Sequence, residues 1–213
     1  MSKRLNSVTV STITVFIVMV LASIEPLEWS SYLLHQLGTL LFLAVMLGAY
    51  CYSKIGSRSY MFASLFLIIH IIGARYLYSY VPYDDWTQRL FGINLNQIFG
   101  WQRNMYDRLV HFSYGLLLLS AMVESSKSVF GIQSTKLLIA IALMINMSSS
   151  LLYELLEWGI ASTLSPEAAE AYNGQQGDIW DAHKDMALAL LGGLIAAGVI
   201  LFKTRTHQVA APK

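Results

Sequence analysis

Residues 178–202 read DIWDAHKDMALALLGGLIAAGVILF, an acidic start followed directly by a long apolar run. Three aspartates, Asp178, Asp181 and Asp185, stand ahead of that run. A helix needs roughly 20 mostly apolar residues to cross a bilayer. We therefore predict a membrane-spanning helix over about 183–203, with acids at its mouth. Its Ala189, Gly192 and Ala196 share one face with Asp185, and small residues at this spacing let helices approach closely.

The rest of the chain has the same apolar character. Of its 213 residues, 55% are hydrophobic and 13% are charged, and the mean hydropathy is +0.52. A soluble domain typically has about 25% charged residues. The composition therefore predicts an integral membrane protein in contact with the lipid bilayer, with a single domain over residues 1–213.

Charge, cysteine content and missing motifs exclude several functional classes. A net charge of +1 leaves no basic stripe for a nucleic-acid partner. The one cysteine, Cys51, excludes an intrachain disulfide and a Cys-x-x-Cys zinc or redox site. The sequence contains no Walker loop, no Gly-x-Ser-x-Gly and no His-Glu-x-x-His motif.

Six apolar segments of about spanning length follow one another along the chain. They cover about 8–24, 31–53, 60–80, 108–126, 137–160 and 183–203. This pattern predicts an all-α polytopic membrane protein, a bundle of about six transmembrane helices. The first segment follows MSKRLN without a clear small-x-small cleavage site, so we interpret it as an uncleaved signal-anchor.

Lysine and arginine predict the orientation, because cytoplasmic loops are enriched in them. With the N-terminus inside, the cytoplasmic side carries Lys3, Arg4, Lys54, Arg58, Lys127, Lys136, Lys203, Arg205 and Lys213, and the other side carries Arg75, Arg89, Arg103, Arg108 and Lys184. Both termini are then cytoplasmic, and two long loops, about 81–107 and 161–182, lie outside. The aromatic residues of the first loop are typical of an interfacial segment, and a lipid-binding lid is the alternative.

Ionisable residues recur at helical spacing near the outer ends of three predicted helices. Separations of three or four residues place each pair on one helix face, namely Asp107 with His111, Glu154 with Glu157, and Asp181 with Asp185. Polar faces within a membrane must contact protein or water rather than lipid. We therefore predict that the three faces meet in one pocket at the outer membrane surface.

Carboxylates crowded into such a pocket require compensation. A divalent metal suits oxygen ligands with one imidazole, and the predicted ligands are Asp107, His111, Glu154, Glu157, Asp181 and Asp185. Pairing with Arg75, Arg103 or Arg108 and protonation of some carboxylates are the alternatives. Helix N-capping is a further alternative for Asp107, Asp178 and Asp181, with Asn104 as a rival cap near Asp107. His183 projects roughly 160° away from Asp185 on an ideal helix and is left out.

Three blocks carry a resemblance to a known family. RNMYDRLVHFSYGLLL, LLYELLEW and QGDIWDAHKDMALALLGG resemble the YjdF family of small bacterial inner-membrane proteins. The resemblance covers most of the chain, and it implies a location in the bacterial inner membrane.

The layout is also similar, more loosely, to VanZ-like membrane proteins, some of which are associated with glycopeptide-antibiotic resistance and the cell envelope. That resemblance implies an Asp and a His opening one helix, a Glu closing the next, and Asp-x-x-x-Asn before a glycine-containing helix. The matching residues are Asp107, His111, Glu154 or Glu157, and Asp181. Asp185 stands where the pattern has Asn, and the added charge favours a cation.

The leading functional hypothesis is a metal-dependent site at the periplasmic face that binds or acts on an envelope lipid or lipid-linked headgroup. The catalytic candidates of this hydrolase or transferase are Asp107, His111, Glu157 and Asp181. One carboxylate would act as general base towards a metal-bound water, and Arg103 or Arg75 would hold a phosphate. A proton- or cation-coupled carrier of small solutes and a non-catalytic scaffold are the alternatives.

Overall fold

The computed structural model describes the backbone of residues 2–210, and their side chains except at 2–6, 167, 170, 171 and 207–210. Lys213, which entered the orientation argument, lies outside the described residues. The helices are α1 (Ser2–Ala22), α2 (Trp29–Tyr52), α3 (Ser57–Arg75), α4 (Tyr83–Phe91), α5 (Leu95–Phe99), α6 (Tyr106–Phe130), α7 (Thr135–Ala161), α8 (Pro166–Asn173) and α9 (Asp181–Ala210).

Five helices within the described range, α2, α3, α6, α7 and α9, are long and apolar enough to cross a membrane. The described apolar part of α1, Ser7–Ala22, is shorter. No β-strand occurs in residues 2–210. The predicted all-α polytopic bundle is therefore confirmed.

The third helix ends earlier than the predicted range of 60–80. α3 stops at Arg75, and the following turn holds Leu77 and Tyr78 at φ values of 49° and 53°. The Tyr78 ring folds back onto Gly73, where an added Cβ would lie 2.6 Å from the ring. A contact between the turn and the helix surface therefore ends α3, although the sequence stays apolar.

Short helices occupy both long loops. α4 and α5 lie in the first, and they expose apolar side chains at Leu90, Phe91, Ile98 and Phe99. α8 lies in the second and contacts α7. We call the end of the bundle that carries α4, α5 and α8 the site end. The exposed apolar side chains of α4 and α5 suit the interfacial interpretation of this loop.

The closest helix pair is α6 with α9. A Cβ added at Gly115 of α6 would overlap the carbonyl oxygen of Ala189, and one at Gly192 would overlap that of Phe112. α6 also contacts α3 and α7, while α1 and α2 pack on α3. The small residues thus bring the acid-bearing starts of α6 and α9 side by side, with α7 against both.

Candidate functional site

A buried arginine from α6 lies between the two aspartates of α9. Arg108 places Nη2 2.5 Å from Asp181 Oδ1 and Nη1 2.5 Å from Asp185 Oδ1. Its Nη1 also donates to the backbone oxygen of Asp181 at 2.9 Å. All three side chains are buried. Pairing with arginine was one of the three alternatives for compensating the acids. The geometry shows that it applies to Asp181 and Asp185.

Asp178 sits at the edge of this group and has a more local role. Its Oδ1 accepts from the Trp180 amide at 3.1 Å, while Oδ2 lies 3.1 Å from Arg108 Nη2. The hydrogen bond from the exposed Lys184 ammonium, 2.6 Å from Oδ2, holds the pKa of Asp178 below its ordinary value. Asp178, for which helix N-capping was the alternative, thus combines a hydrogen bond within the turn before α9 with ion pairing.

Capping does not account for Asp107. The N-cap residue of α6 is Met105, which makes no side-chain cap hydrogen bond, and the Asn104 side chain accepts from the amide of Tyr106 at 3.0 Å. Asp107 lies inside the first turn and is buried. Its carboxylate is therefore directed into the bundle.

Asp107 belongs to a second buried group, centred on His111. One ligand-type atom from each of Asp107, His111 and Asp185 lies within 4.8 Å of the others. His111 Nε2 is 3.6 Å from Asp107 Oδ1, and its Nδ1 is 3.6 Å from Glu154 Oε1. That Glu154 oxygen makes no hydrogen bond to protein. The structure therefore brings together three of the six predicted ligands, Asp107, His111 and Asp185, in a donor set that suits a divalent cation, and it places Glu154 at the other ring nitrogen of His111.

A groove of about 320 Å³ adjoins this group at the site end. Its acidic lining comes from Glu154, Glu157 and Asp181. Its apolar lining includes Leu155 and Trp158, which are exposed on the membrane-spanning helix α7. The groove therefore joins the acids to the surface that faces the hydrocarbon chains. His183, excluded on geometry from the core of the site, and Met186 also line the groove.

Hydrogen bonds from Arg103 and Asn104 hold the segment between α8 and α9 against the site. Arg103 donates to the carbonyl oxygens of Gly174 and Gln175 at 2.9 and 3.0 Å, and to Asp181 at 2.8 Å. The Asn104 amide donates to Gln176 Oε1 at 2.9 Å, and Gln176 Nε2 donates back to the Asn104 carbonyl at 3.1 Å. The guanidinium that the sequence offered for phosphate binding therefore has its donors engaged within the protein.

Arg75, the second predicted phosphate ligand, lies away from the acids. Its Nη1 donates to the carbonyl oxygens of Leu21 at 3.2 Å and Ala22 at 3.0 Å, and to that of Ile24. Carbonyls at the end of a helix lack intrahelical donors, and an arginine there satisfies them. Since α3 stops at Arg75, this side chain ties α3 to the end of α1.

Two features of the site were not among its predicted residues. The sequence identifies Arg108 only as a possible counter-charge to the acids, and its contacts with Asp181 and Asp185 are made between two different helices. The other feature is aromatic, with Tyr172 of α8 stacked on His35 at 4.7 Å between ring centres, and the Tyr78 hydroxyl 2.8 Å from His70 Nδ1. Burial raises the pKa of Tyr172 to about 12. No local sequence pattern predicts stacking between a residue of α2 and a residue of α8.

The sequence is similar to a known family of membrane proteins. Residues 7–206 match the DUF2238 family, described as a predicted membrane protein. The chain belongs to this family. It is also 27% identical over 199 residues to the inner membrane protein YjdF of Escherichia coli (strain K12), covering 92% of this chain and 88% of that relative. The YjdF-like resemblance is thereby confirmed. No solved structure matches this DUF2238 protein.

Proposed function

We propose that this DUF2238 protein binds a divalent cation together with the headgroup of an envelope lipid or lipid-linked compound. It lies in the bacterial inner membrane with both termini cytoplasmic, so that the site end faces the periplasm. The observation that carries the proposal is that Glu154 lies 3.6 Å from His111, a member of the buried cation-type donor set, and also lines the lipid-facing groove. Ligand pockets of this kind are largely apolar with a few convergent polar groups.

The charge balance supports a cation. Arg103, Arg108 and Lys184 pair with the three aspartates of residues 178–185. Among the six predicted ligands, the acids outside these pairs are Asp107, Glu154 and Glu157, and His111 is the basic group among them. Buried carboxylates without a counter-charge are costly, so a divalent cation would compensate them.

The predicted residues take distinct roles in this proposal. Asp107, His111 and Asp185 would hold the cation, with Glu154 linking His111 to the groove, and the cation would supply Lewis-acid polarisation of a headgroup oxygen. Glu157, on the groove wall, is the candidate general base for a hydrolase or transferase reaction. Because Arg103 is engaged by the loop, it positions Asp181 rather than binding phosphate. The looser likeness to VanZ-like proteins stays a prediction and would agree with a substrate in the cell envelope.

Manganese binding to the purified protein tests the cation site. Free Mn²⁺ gives an electron paramagnetic resonance signal that falls on binding, so the affinity can be read directly. We expect saturable binding that weakens at least about tenfold in Asp107→Asn and in His111→Gln, since each removes one ligand. Asp85→Asn makes the same charge change at an exposed acid of α4 and should leave the affinity unaltered. Absence of binding, or equal affinity in all four proteins, would contradict the proposal and favour a scaffold.

Photo-crosslinking in lipid nanodiscs tests the groove. A phospholipid with a photoreactive headgroup should label peptides of α7 and of the segment before α9. Leu155→Trp fills the groove and should reduce this labelling, whereas Leu37→Trp adds the same bulk to an exposed position of α2 and should not. Equal labelling in the two variants would show that headgroups do not use the groove.

A further inference from the structure

A row of polar side chains continues from Glu154 along α7 towards the middle of the membrane. Asn146, Ser150 and Glu154 follow at intervals of four residues, so they lie on one helix face. Their exposed fractions are 0%, 4% and 8%. Asn146 points at α9, because a Cβ added at Gly193 would lie 3.5 Å from its Oδ1. The row therefore runs inside the α6–α7–α9 interface. We call it the α7 column.

The polar atoms of the α7 column lack partners in the protein. Oδ1 and Nδ2 of Asn146, Oγ of Ser150 and Oε1 of Glu154 make no hydrogen bond to protein. An unsatisfied buried polar group costs about 1–3 kcal/mol. Two buried hydroxyls on other spanning helices bond to their own backbone, Thr39 to His35 O at 3.1 Å and Ser64 to Tyr60 O at 2.9 Å, whereas Ser120 and Ser126 of α6 lack partners as Ser150 does. The Ser150 hydroxyl makes no such bond to its own backbone. The polar atoms of the α7 column therefore need a ligand.

We propose that the α7 column binds a file of water molecules. Asn146 presents both a donor and an acceptor without partners, and water satisfies both, whereas a cation would satisfy only the oxygens. The file spans about 12 Å from Asn146 to Glu154, at 1.5 Å rise per residue, which corresponds to about four waters at hydrogen-bond spacing. Its upper end meets the groove at Glu154.

The water file is closed at its inner end, near the middle of the membrane. Beyond Asn146 the α6–α7–α9 interface is closed by an apolar cluster that includes the fully buried Leu119 and Ala142, with Ile139, Ala196 and Ala197. Water in the column therefore exchanges with the site end alone and forms no path across the membrane. That this water serves the headgroup site rests on the proposed function, whereas its presence in the column does not.

Water-edited solid-state NMR of the protein in lipid nanodiscs tests this inference. With asparagine and alanine labelled with ¹⁵N, magnetisation passes from water to nearby amides. The Asn146→Ala variant identifies the side-chain signal of Asn146. We expect that signal to build up several-fold faster than the backbone amide of Ala142, which is one turn farther in and packed in the apolar cluster. Build-up no faster than at Ala142 would show a dry interface and overturn the inference.

A second variant tests the continuity of the file. Ser150→Val replaces the hydroxyl midway along the file by a larger apolar group that occupies the space of the water, so water transfer to Asn146 should fall while the thermal melting temperature stays within a few degrees. Ser64→Val makes the same change at a hydroxyl that is bonded within α3 and should leave the transfer unaltered. Unaltered transfer in Ser150→Val would overturn the continuous file. If Ser150→Val does not fold, Ser150→Ala with the same readout replaces it.

Mn²⁺ titration of the same samples separates the two proposals. A dry Asn146 in a protein that binds Mn²⁺ would overturn the water file alone. A wet Asn146 in a protein without Mn²⁺ binding would support the file and overturn the cation site.

Discussion

Replacing Arg108 by methionine removes the charge that lies between the aspartates of α9 while keeping a long side chain. In the folded protein the guanidinium nitrogens are 2.5 Å from Asp181 and 2.5 Å from Asp185, whose exposed fractions are 4% and 2%. Asp181 keeps Arg103 at 2.8 Å after the replacement. The carboxylate that loses its arginine is therefore Asp185.

Removing one partner of a buried ion pair costs about 3–5 kcal/mol, because the remaining charge stays buried without compensation. Since Arg103 still serves Asp181, we expect the lower part of this range, about 3 kcal/mol. Combining Arg108→Met with Asp185→Asn removes the unpaired charge and should restore most of the loss. The measurement is the free energy of unfolding of the metal-free protein in mixed micelles, from a titration with sodium dodecyl sulfate followed by tryptophan fluorescence.

Lys184→Met is the matched control. It breaks an ion pair to Asp178 at the same helix start, but the lysine side chain is 54% exposed, so solvent already screens the charge. Its loss should be several-fold smaller than that of Arg108→Met. The reasoning would be refuted if Arg108→Met lost less than about 1 kcal/mol, or if Asp185→Asn gave no recovery in the double variant.

Three further perturbations test the packing, the α8 contact and a helix cap. Gly192→Ala should cost about 1–3 kcal/mol in the same unfolding titration, because its Cβ meets the α6 backbone, whereas Gly48→Ala, with no atom within 4 Å, should not destabilise. Burial raises the pKa of Tyr172 from 10.0 to about 12, so its stabilising contribution is complete below pH 10 and falls as the pH rises towards 12. Thermal melts across this interval should therefore fall less steeply in Tyr172→Phe, and parallel curves would contradict the pKa shift. Glu28→Ala removes the acceptor for the amides of Ser30 and Ser31 at 2.8 and 2.6 Å and should cost about 1 kcal/mol. Hydrogen bonds from Ser30 and Ser31 lower the pKa of Glu28 from 4.5 to about 2, so this contribution is lost as the pH falls through that interval, and melts of Glu28→Ala should lack that step.

Local patterns were sufficient for the helices and for the faces of the acid-bearing helices. Apolar length predicted the spans, because a helix in lipid must satisfy its backbone within itself. Helical spacing predicted that Asp107 and His111 share a face, and the structure places them 3.6 Å apart. The end of α3 was not predictable in this way, because Tyr78 ends the helix by packing on Gly73 through a positive-φ turn.

The sequence by itself determined that this protein is an all-α membrane bundle with acids gathered at one end, since hydrophobic length and helical periodicity are properties of neighbouring residues. Tertiary structure decided which positive group meets which acid. Arg108 pairs with Asp181 and Asp185. Arg103 donates to the loop before α9, and Arg75 donates to the carbonyl groups at the end of α1. These outcomes depend on distances between different helices, which the close α6–α9 crossing at Gly115 and Gly192 sets. The same crossing, with α7 against it, buries the α7 column and leaves its polar atoms without partners in the protein.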